Sequence, residues 1–144
     1  MKKSGILNKD LMAELTGLGH LDSFVICDAG FPIPYNAKKI DLAIIENLPT
    51  FLQILKAVLN EVIVEKITML QETKKESIEL YDELNEIFVK QDKAFLEFDK
   101  FYKVGVKAKF FIRTADFTPY ANIILKSASG VKKYSEIYDI RFSK

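Results

Sequence analysis

Short apolar segments separated by amphipathic stretches run along this 144-residue chain, and their alternation limits the folds open to it. The apolar segments are rich in Val, Ile and Phe, which is typical of buried strands. The stretches between them carry apolar residues at the spacing of one helix face. Strands that alternate with helices favour a largely parallel sheet covered on both faces. We therefore expect a one-domain α/β fold.

The same pattern assigns segments to individual elements. Asn8 can cap a first helix that Gly17 and Gly19 end, and Pro49 stands where a second helix can begin. We predict further helices at 73–88 and 99–109, and strands at 23–27, 40–45, 63–70, 94–98, 110–113 and 120–125.

Composition excludes several classes of function. With 21 basic and 20 acidic residues, the chain has a net charge of +1, which gives no electrostatic basis for binding nucleic acid or an anionic membrane. The lone Cys27 excludes an internal disulfide and fits a reducing compartment. With one Cys and one His, a zinc site would need carboxylates for most of its ligands, so we expect no metal. No signal peptide or membrane span is predicted, so we expect a cytoplasmic protein.

The one histidine, His20, lies a short step before Asp28, which opens a loop punctuated by Gly30. One imidazole near one carboxylate suffices to move protons on a neutral substrate. Asp28 directly follows a predicted strand, where α/β sheets bind ligands. Each residue also has an ordinary explanation, because a lone histidine is more often a capping or surface residue and Asp before Ala-Gly favours a turn.

Other signals are weaker. Tyr120 and Asn122 alternate along a predicted strand and would share a face, either in a sheet or at its edge. A Cys27–His20 dyad is conceivable, but Cys27 ends an apolar strand, which indicates packing. The sequence has no Gly-rich phosphate loop and no Gly-x-Ser-x-Gly nucleophile motif.

Taken together, these segments resemble the D-ribose pyranase (ribose mutarotase) family, which is related to fucose mutarotase. The resemblance runs from Lys2 to about Val131, and it leaves residues 132–144 as a C-terminal extension of a domain at 1–131. Two segments favour the ribose branch: 28–34 (Asp-Ala-Gly-Phe-Pro-Ile-Pro) and 118–122 (Thr-Pro-Tyr-Ala-Asn).

The resemblance implies a fold, an assembly and an activity. The fold is a three-layer α/β/α subunit. The subunits form pentameric rings that stack as decamers, with sugar pockets between neighbouring subunits. The activity is the interconversion of pyranose and furanose forms of a free sugar, without a cofactor.

The resemblance also implies roles for individual residues. His20 is the proton donor, and Asp28 binds sugar hydroxyls. Tyr120 and Asn122 supply a hydroxyl and an amide to the sugar, with the backbone of Ala121 nearby.

Two positions depart from the family pattern. Phe98 and Tyr102 stand where the family usually has a substrate-binding histidine and, one helical turn later, a lysine. A phenyl ring cannot donate a hydrogen bond, and a tyrosine lacks the positive charge. These positions leave three interpretations open: a pyranase that binds ribose weakly, a pyranase for another sugar such as a deoxy sugar, or a non-catalytic sugar-binding or regulatory module.

Overall fold

The computed structural model describes residues 1–140 of the chain. In chain order its elements are α1 (Lys9–Thr16), β1 (Ser23–Cys27), β2 (Lys39–Asp41), α2 (Phe51–Leu59), β3 (Val64–Leu70), α3 (Gln71–Glu76), α4 (Ile78–Ile87), β4 (Asp92–Leu96), α5 (Phe98–Gly105), β5 (Phe111–Arg113), β6 (Ile123–Ser127) and a 3₁₀ helix (Lys132–Tyr134).

The strands form one six-stranded sheet in the order β2-β5-β1-β6-β3-β4. The pairs β2–β5, β5–β1 and β3–β4 are parallel, whereas β6 runs antiparallel to both of its neighbours, β1 and β3. Five strands therefore point the same way and end at one edge, which we call the carboxyl edge. The predicted largely parallel sheet is confirmed.

Helices cover both faces of this sheet. Successive side chains of a strand point to opposite faces. Phe24 and Ile26 of β1 accordingly pack in one apolar cluster with buried residues of α1, α2 and α4. Val25 and Cys27 pack in a second cluster with Phe101 of α5. The α/β/α arrangement expected from the resemblance is confirmed.

Local signals explain where the first two helices begin. The Asn8 side chain accepts a hydrogen bond from the Leu11 N–H at 2.9 Å, and Gly17 ends α1, as predicted. At α2, Thr50 and Gln53 form a capping box in which each side chain accepts a hydrogen bond from the other residue's N–H. Such caps satisfy N–H groups that the first turn of a helix leaves free.

Several other predicted boundaries were wrong. The helix predicted at 73–88 is two helices, because Ser77 leaves helical geometry and its hydroxyl donates to the Pro119 carbonyl at 2.6 Å. Phe98, predicted as the end of a strand, begins α5 instead, because its N–H donates to the Glu72 carboxylate at 3.1 Å. The strand predicted at 40–45 is the short β2, and Ile45 forms an isolated bridge with Leu48.

The strand predicted at 120–125 begins only at Ile123. Tyr120 has a positive φ of 59°, which no strand residue adopts. The prediction that Tyr120 and Asn122 share a strand face is therefore wrong. Both residues lie in the loop that enters β6.

The C-terminal extension contacts two helix ends through Glu136 and Tyr138, and its last part, 141–144, lies outside the described residues. The Tyr138 N–H donates to Asn60 Oδ1 at 2.6 Å, and Asn60 Nδ2 donates back to the Tyr138 carbonyl at 2.9 Å. Lys90 pairs with Glu136 at 2.5 Å. These contacts attach the extension to the ends of α2 and α4.

Asn60→Ala is expected to lower the free energy of unfolding by about 1–2 kcal/mol, because it removes two hydrogen bonds to the extension. Denaturant titration of the full chain measures this loss. Because Asn60 also follows α2, the same substitution should be tested in a chain that ends at Val131. A smaller cost in the shortened chain is expected, and equal costs would contradict the role of this contact.

Candidate functional site

Asp28 and Asn122 meet at the carboxyl edge. Asp28 directly follows β1, and Asn122 directly precedes β6, which is antiparallel to β1. The Asp28 N–H donates to Asn122 Oδ1 at 2.8 Å, and Asn122 Nδ2 donates to Asp28 Oδ2 at 3.2 Å. These two hydrogen bonds join residues that are far apart in the sequence into one unit, here named the Asp28–Asn122 pair.

The environment of the Asp28 carboxylate suits an acceptor of hydrogen bonds. Burial raises the pKa of this carboxyl, and hydrogen bonds from the Asn122 side chain and from the N–H groups of Gly30 and Phe31 oppose that rise. The Gly30 N–H lies 3.0 Å from Asp28 Oδ1. The carboxylate is therefore held in one orientation while part of it faces solvent.

A cavity of about 480 Å³ opens beside this pair. Residues 28–30, Arg113 and residues 116–119 line it. Arg113 cannot swing freely, because its Nη1 donates to both oxygens of Asp41 at 3.1 Å and its Nε donates to the Ala29 carbonyl at 3.0 Å. A larger cavity of about 540 Å³ lies between α2 and α4, but it contains none of the predicted site residues. The smaller cavity is the candidate site.

Tyr120 and Ala121 border the pair from the loop before β6. Tyr120 holds its left-handed backbone conformation while its carbonyl accepts a hydrogen bond from the Thr73 hydroxyl at 2.9 Å. Such a conformation costs a non-glycine residue about 1–2 kcal/mol, and strain of this kind concentrates at functional sites. Ala121 is fully buried, and its N–H donates to the Thr118 carbonyl at 3.3 Å.

Phe98 and Tyr102 form an aromatic platform with Phe31, the residue that also donates to Asp28. The rings of Phe98 and Tyr102 stack with centroids 6.1 Å apart, and each centroid lies 6.0 Å from that of Phe31. Tyr120 packs against the same apolar cluster. The platform therefore adjoins the Asp28–Asn122 pair, and the structure brings six of the seven predicted site residues to one region.

His20, the seventh, lies elsewhere. It precedes β1 whereas Asp28 follows it, and a five-residue strand spans about 16 Å. The imidazole is 49% exposed, and its Nε2 lies 3.5 Å from Glu65 Oε1 near the start of β3. Within one protomer, His20 and Asp28 therefore cannot contact the same small ligand.

Cys27 is not part of the candidate site. Its side chain is fully buried, and burial raises the pKa of the thiol well above its usual range. It also lies at the opposite end of β1 from His20. The interpretation of Cys27 as a packing residue is confirmed.

Two carboxylates near these residues had no clear sequence signal. Glu65 lies within an apolar strand, and Glu72 lies in a polar helix that looks like any solvated segment. Glu72 Oε1 accepts the Phe98 N–H, and its Oε2 is buried without a hydrogen-bond partner among residues 1–140. Only the contacts of these carboxylates with His20 and Phe98 identify them.

Two further findings concern metals and membranes. Among the described residues, no group of three or more His, Cys, Asp and Glu side chains is arranged to hold a metal ion. No helix in this part of the chain is both long and apolar enough to cross a membrane.

Comparison with known proteins gives consistent matches. The model of the RbsD / FucU transport protein family matches residues 1–131. A D-ribose pyranase from Geobacillus thermodenitrificans is 43% identical over 127 residues, which cover 88% of this chain and 96% of that protein. The structure of Bacillus subtilis RbsD complexed with D-ribose matches with a TM-score of 0.85 and 41% identity, covering 89% of this chain and 98% of that one.

A more distant structure shares the fold. The fucose mutarotase from Streptococcus pneumoniae, solved in complex with L-fucose, matches with a TM-score of 0.73 at 23% identity. The match covers 87% of this chain and 95% of the mutarotase.

Proposed function

Because this chain belongs to the RbsD / FucU transport protein family, we propose that it is a sugar mutarotase that interconverts the pyranose and furanose forms of free D-ribose or a related sugar. It is an isomerase of the D-ribose pyranase type. The observation that carries the proposal is the Asp28–Asn122 pair beside an open cavity, in a chain that covers nearly all of a ribose-bound relative.

Proton transfer is the only catalytic assistance that the reaction needs. The anomeric hydroxyl loses a proton, the bond between C1 and the ring oxygen breaks, and that oxygen gains a proton. The open-chain aldehyde then rotates, and a different hydroxyl attacks C1 to close the other ring. The net change in protons is zero, and no cofactor is required.

The side chains match these steps. We assign proton transfer to His20, because imidazole exchanges protons near neutral pH. Asp28 accepts hydrogen bonds from sugar hydroxyls, and Asn122 and Tyr120 offer an amide and a hydroxyl beside it. Ala121 brings its backbone close to the sugar without a bulky side chain.

We further propose that the complete site forms between two copies of the chain. His20 lies a strand length from Asp28, so a neighbouring subunit must supply it. Exposed apolar side chains support an interface there: Phe117 lines the cavity, and Ile44, Ile45 and Leu48 lie in a nearby loop. These residues belong to adjoining loops, since the Phe117 N–H donates to Asn47 Oδ1 at 3.1 Å. Pentameric rings stacked as a decamer are the assembly we propose.

The location that we propose is the cytoplasm, and the substrate is a free small sugar rather than a nucleic acid or membrane. A near-neutral net charge and a single reduced, buried cysteine support this. Residues 1–131 form the proposed catalytic domain, and residues 132–144 are the C-terminal extension that follows it.

NMR magnetisation transfer between the pyranose and furanose signals of D-ribose at pH 7 tests the proposed activity. Faster exchange in the presence of the protein is expected. If exchange is unchanged while calorimetry detects saturable sugar binding, the chain is a non-catalytic binding module and the proposal is wrong.

A second candidate, a pyranase for a different sugar, is favoured by the aromatic platform. Phe98 offers no hydrogen bond to a hydroxyl, but its ring can pack on an apolar sugar face. A deoxy sugar would lose less than ribose at this position. Exchange measurements on a panel of pentoses and deoxyhexoses distinguish the two candidates.

Phe98→His is expected to tighten D-ribose binding by about tenfold, because it restores one hydrogen-bond donor. Calorimetric titration with D-ribose measures the change. Val104→His, at an exposed position on the same helix, is the matched control and should leave the affinity unchanged. Equal affinities for Phe98→His and the original chain would mean that position 98 does not face the sugar.

A further inference from the structure

Four hydrogen bonds hold the turn that carries His20. The Asp22 N–H donates to the Gly19 carbonyl at 3.2 Å, and the Gly19 N–H donates to Asp22 Oδ2 at 2.7 Å. The Leu21 N–H donates to the Ser127 carbonyl at 2.9 Å, and the Ser127 N–H donates back to the Asp22 carbonyl at 2.8 Å. The backbone at His20 is therefore bound both to itself and to the end of β6.

Leu21, within this turn, has a positive φ of 69°. A leucine in the left-handed region is strained, and such strain persists only where the surrounding structure enforces it. The Lys109 ammonium adds to that enforcement, because its Nζ lies 2.7 Å from Asp22 Oδ2. The fold thus holds Leu21 in a strained conformation directly beside the half-exposed His20.

The Glu65 carboxylate lies beside the imidazole. Glu65 Oε1 lies 3.5 Å from His20 Nε2, and the Glu65 side chain is 24% exposed. The two atoms lie slightly beyond hydrogen-bond distance, and because an ionised carboxylate only accepts hydrogen bonds, its charge favours the tautomer with the proton on the facing Nε2. Neutral His20 then has its free lone pair on Nδ1.

We propose that Glu65 is a positioning residue that keeps a proton on Nε2 of His20 and thereby makes Nδ1 the nitrogen that exchanges protons with the sugar. This inference rests on the proposed role of His20 in proton transfer. When Nδ1 takes the proton of the anomeric hydroxyl, Glu65 faces the resulting imidazolium and stabilises its charge. Nδ1 then releases that proton to the ring oxygen, while Nε2–H stays directed at Glu65.

The tautomer can be measured directly, because His20 is the single histidine of the chain and gives one pair of ring-nitrogen signals. In the full-length ¹⁵N-labelled protein, at a pH where the imidazole is neutral, the signals should be those of the Nε2–H tautomer. Glu65→Leu should move them toward a mixture of both tautomers. It should also slow D-ribose exchange about ten- to a hundredfold without changing the half-saturating ribose concentration.

Two other variants separate the effect of the Glu65 charge from unrelated effects of a substitution. Glu65→Gln keeps an oxygen that accepts the Nε2–H but removes the charge, so it should keep the tautomer and give an intermediate rate. Glu14→Leu is the matched control, because Glu14 is 25% exposed and pairs with Lys38 at 2.8 Å, in a contact that does not involve His20. It should change neither the signals nor the exchange rate.

Ring-nitrogen signals that stay the same in Glu65→Leu would overturn the inference, whatever the rate. A shift in the signals without a loss of rate would also overturn it, provided that His20→Ala is inactive. If His20→Ala is as fast as the original chain, the proposed function of His20 is wrong instead, and the signals still report whether Glu65 sets the tautomer.

Discussion

His20→Ala is expected to reduce the acceleration of D-ribose exchange by about 10²–10⁴-fold, the usual contribution of a positioned acid or base. Alanine removes the imidazole, and no other histidine can replace it. Magnetisation transfer at pH 7 measures the rate with and without the substitution. Uncatalysed exchange of the sugar sets the lower limit of the measurement.

The loss should come from chemistry and not from folding or binding. His20 is half-exposed, and its 3.5 Å contact with Glu65 lies near the surface, where such contacts contribute little to stability. The denaturation midpoint and the calorimetric affinity for sugar should therefore change little. Full acceleration by His20→Ala would show that the proton donor lies elsewhere.

Co-expression of His20→Ala with Asp28→Asn is expected to give more activity than either variant has alone. If His20 and Asp28 of one site come from different subunits, random association gives about one site in four with both groups intact. The mixed oligomer should therefore have about a quarter of the original rate. Asp28→Asn alone should lose about ten- to a hundredfold, since it removes a charged hydrogen-bond acceptor.

A control co-expression tests whether the recovered activity comes from sites shared between two subunits. His20→Ala co-expressed with a chain that carries both substitutions has the same subunit stoichiometry, but none of its sites contains an imidazole, so it should stay inactive. The structure motivates this pair of experiments, because a five-residue strand separates the two residues within a protomer. No recovery in a mixed oligomer of confirmed composition would contradict a site shared between subunits.

Much of the fold was predictable because helix caps and the periodicity of apolar residues match the elements that form. Asn8 and Gly17 mark the ends of α1, and the β-branched segment at 23–27 is β1 without a change of boundary. Asp28 was expected at the carboxyl edge simply because it follows a buried strand. These elements are determined by capping and periodicity within a few neighbouring residues, which a sequence displays directly.

The features that were predicted wrongly depend on contacts between segments that are distant in the sequence. Ser77 breaks the predicted long helix because its hydroxyl reaches the Pro119 carbonyl, and Tyr120 leaves the predicted strand in a positive-φ turn, where its carbonyl accepts from Thr73. Neither partner is near in the sequence, so no local pattern predicts them.

Local patterns were enough to predict an α/β protein with one histidine, one aspartate after a strand and motifs that resemble those of its relatives. Long-range contacts then bring Asp28 and Asn122 together, while His20 lies at the other end of β1 beside Glu65. The direction of the strands explains this arrangement. Antiparallel pairing of β1 with β6 brings the end of one strand to the start of the other, whereas the length of β1 keeps its own two ends apart.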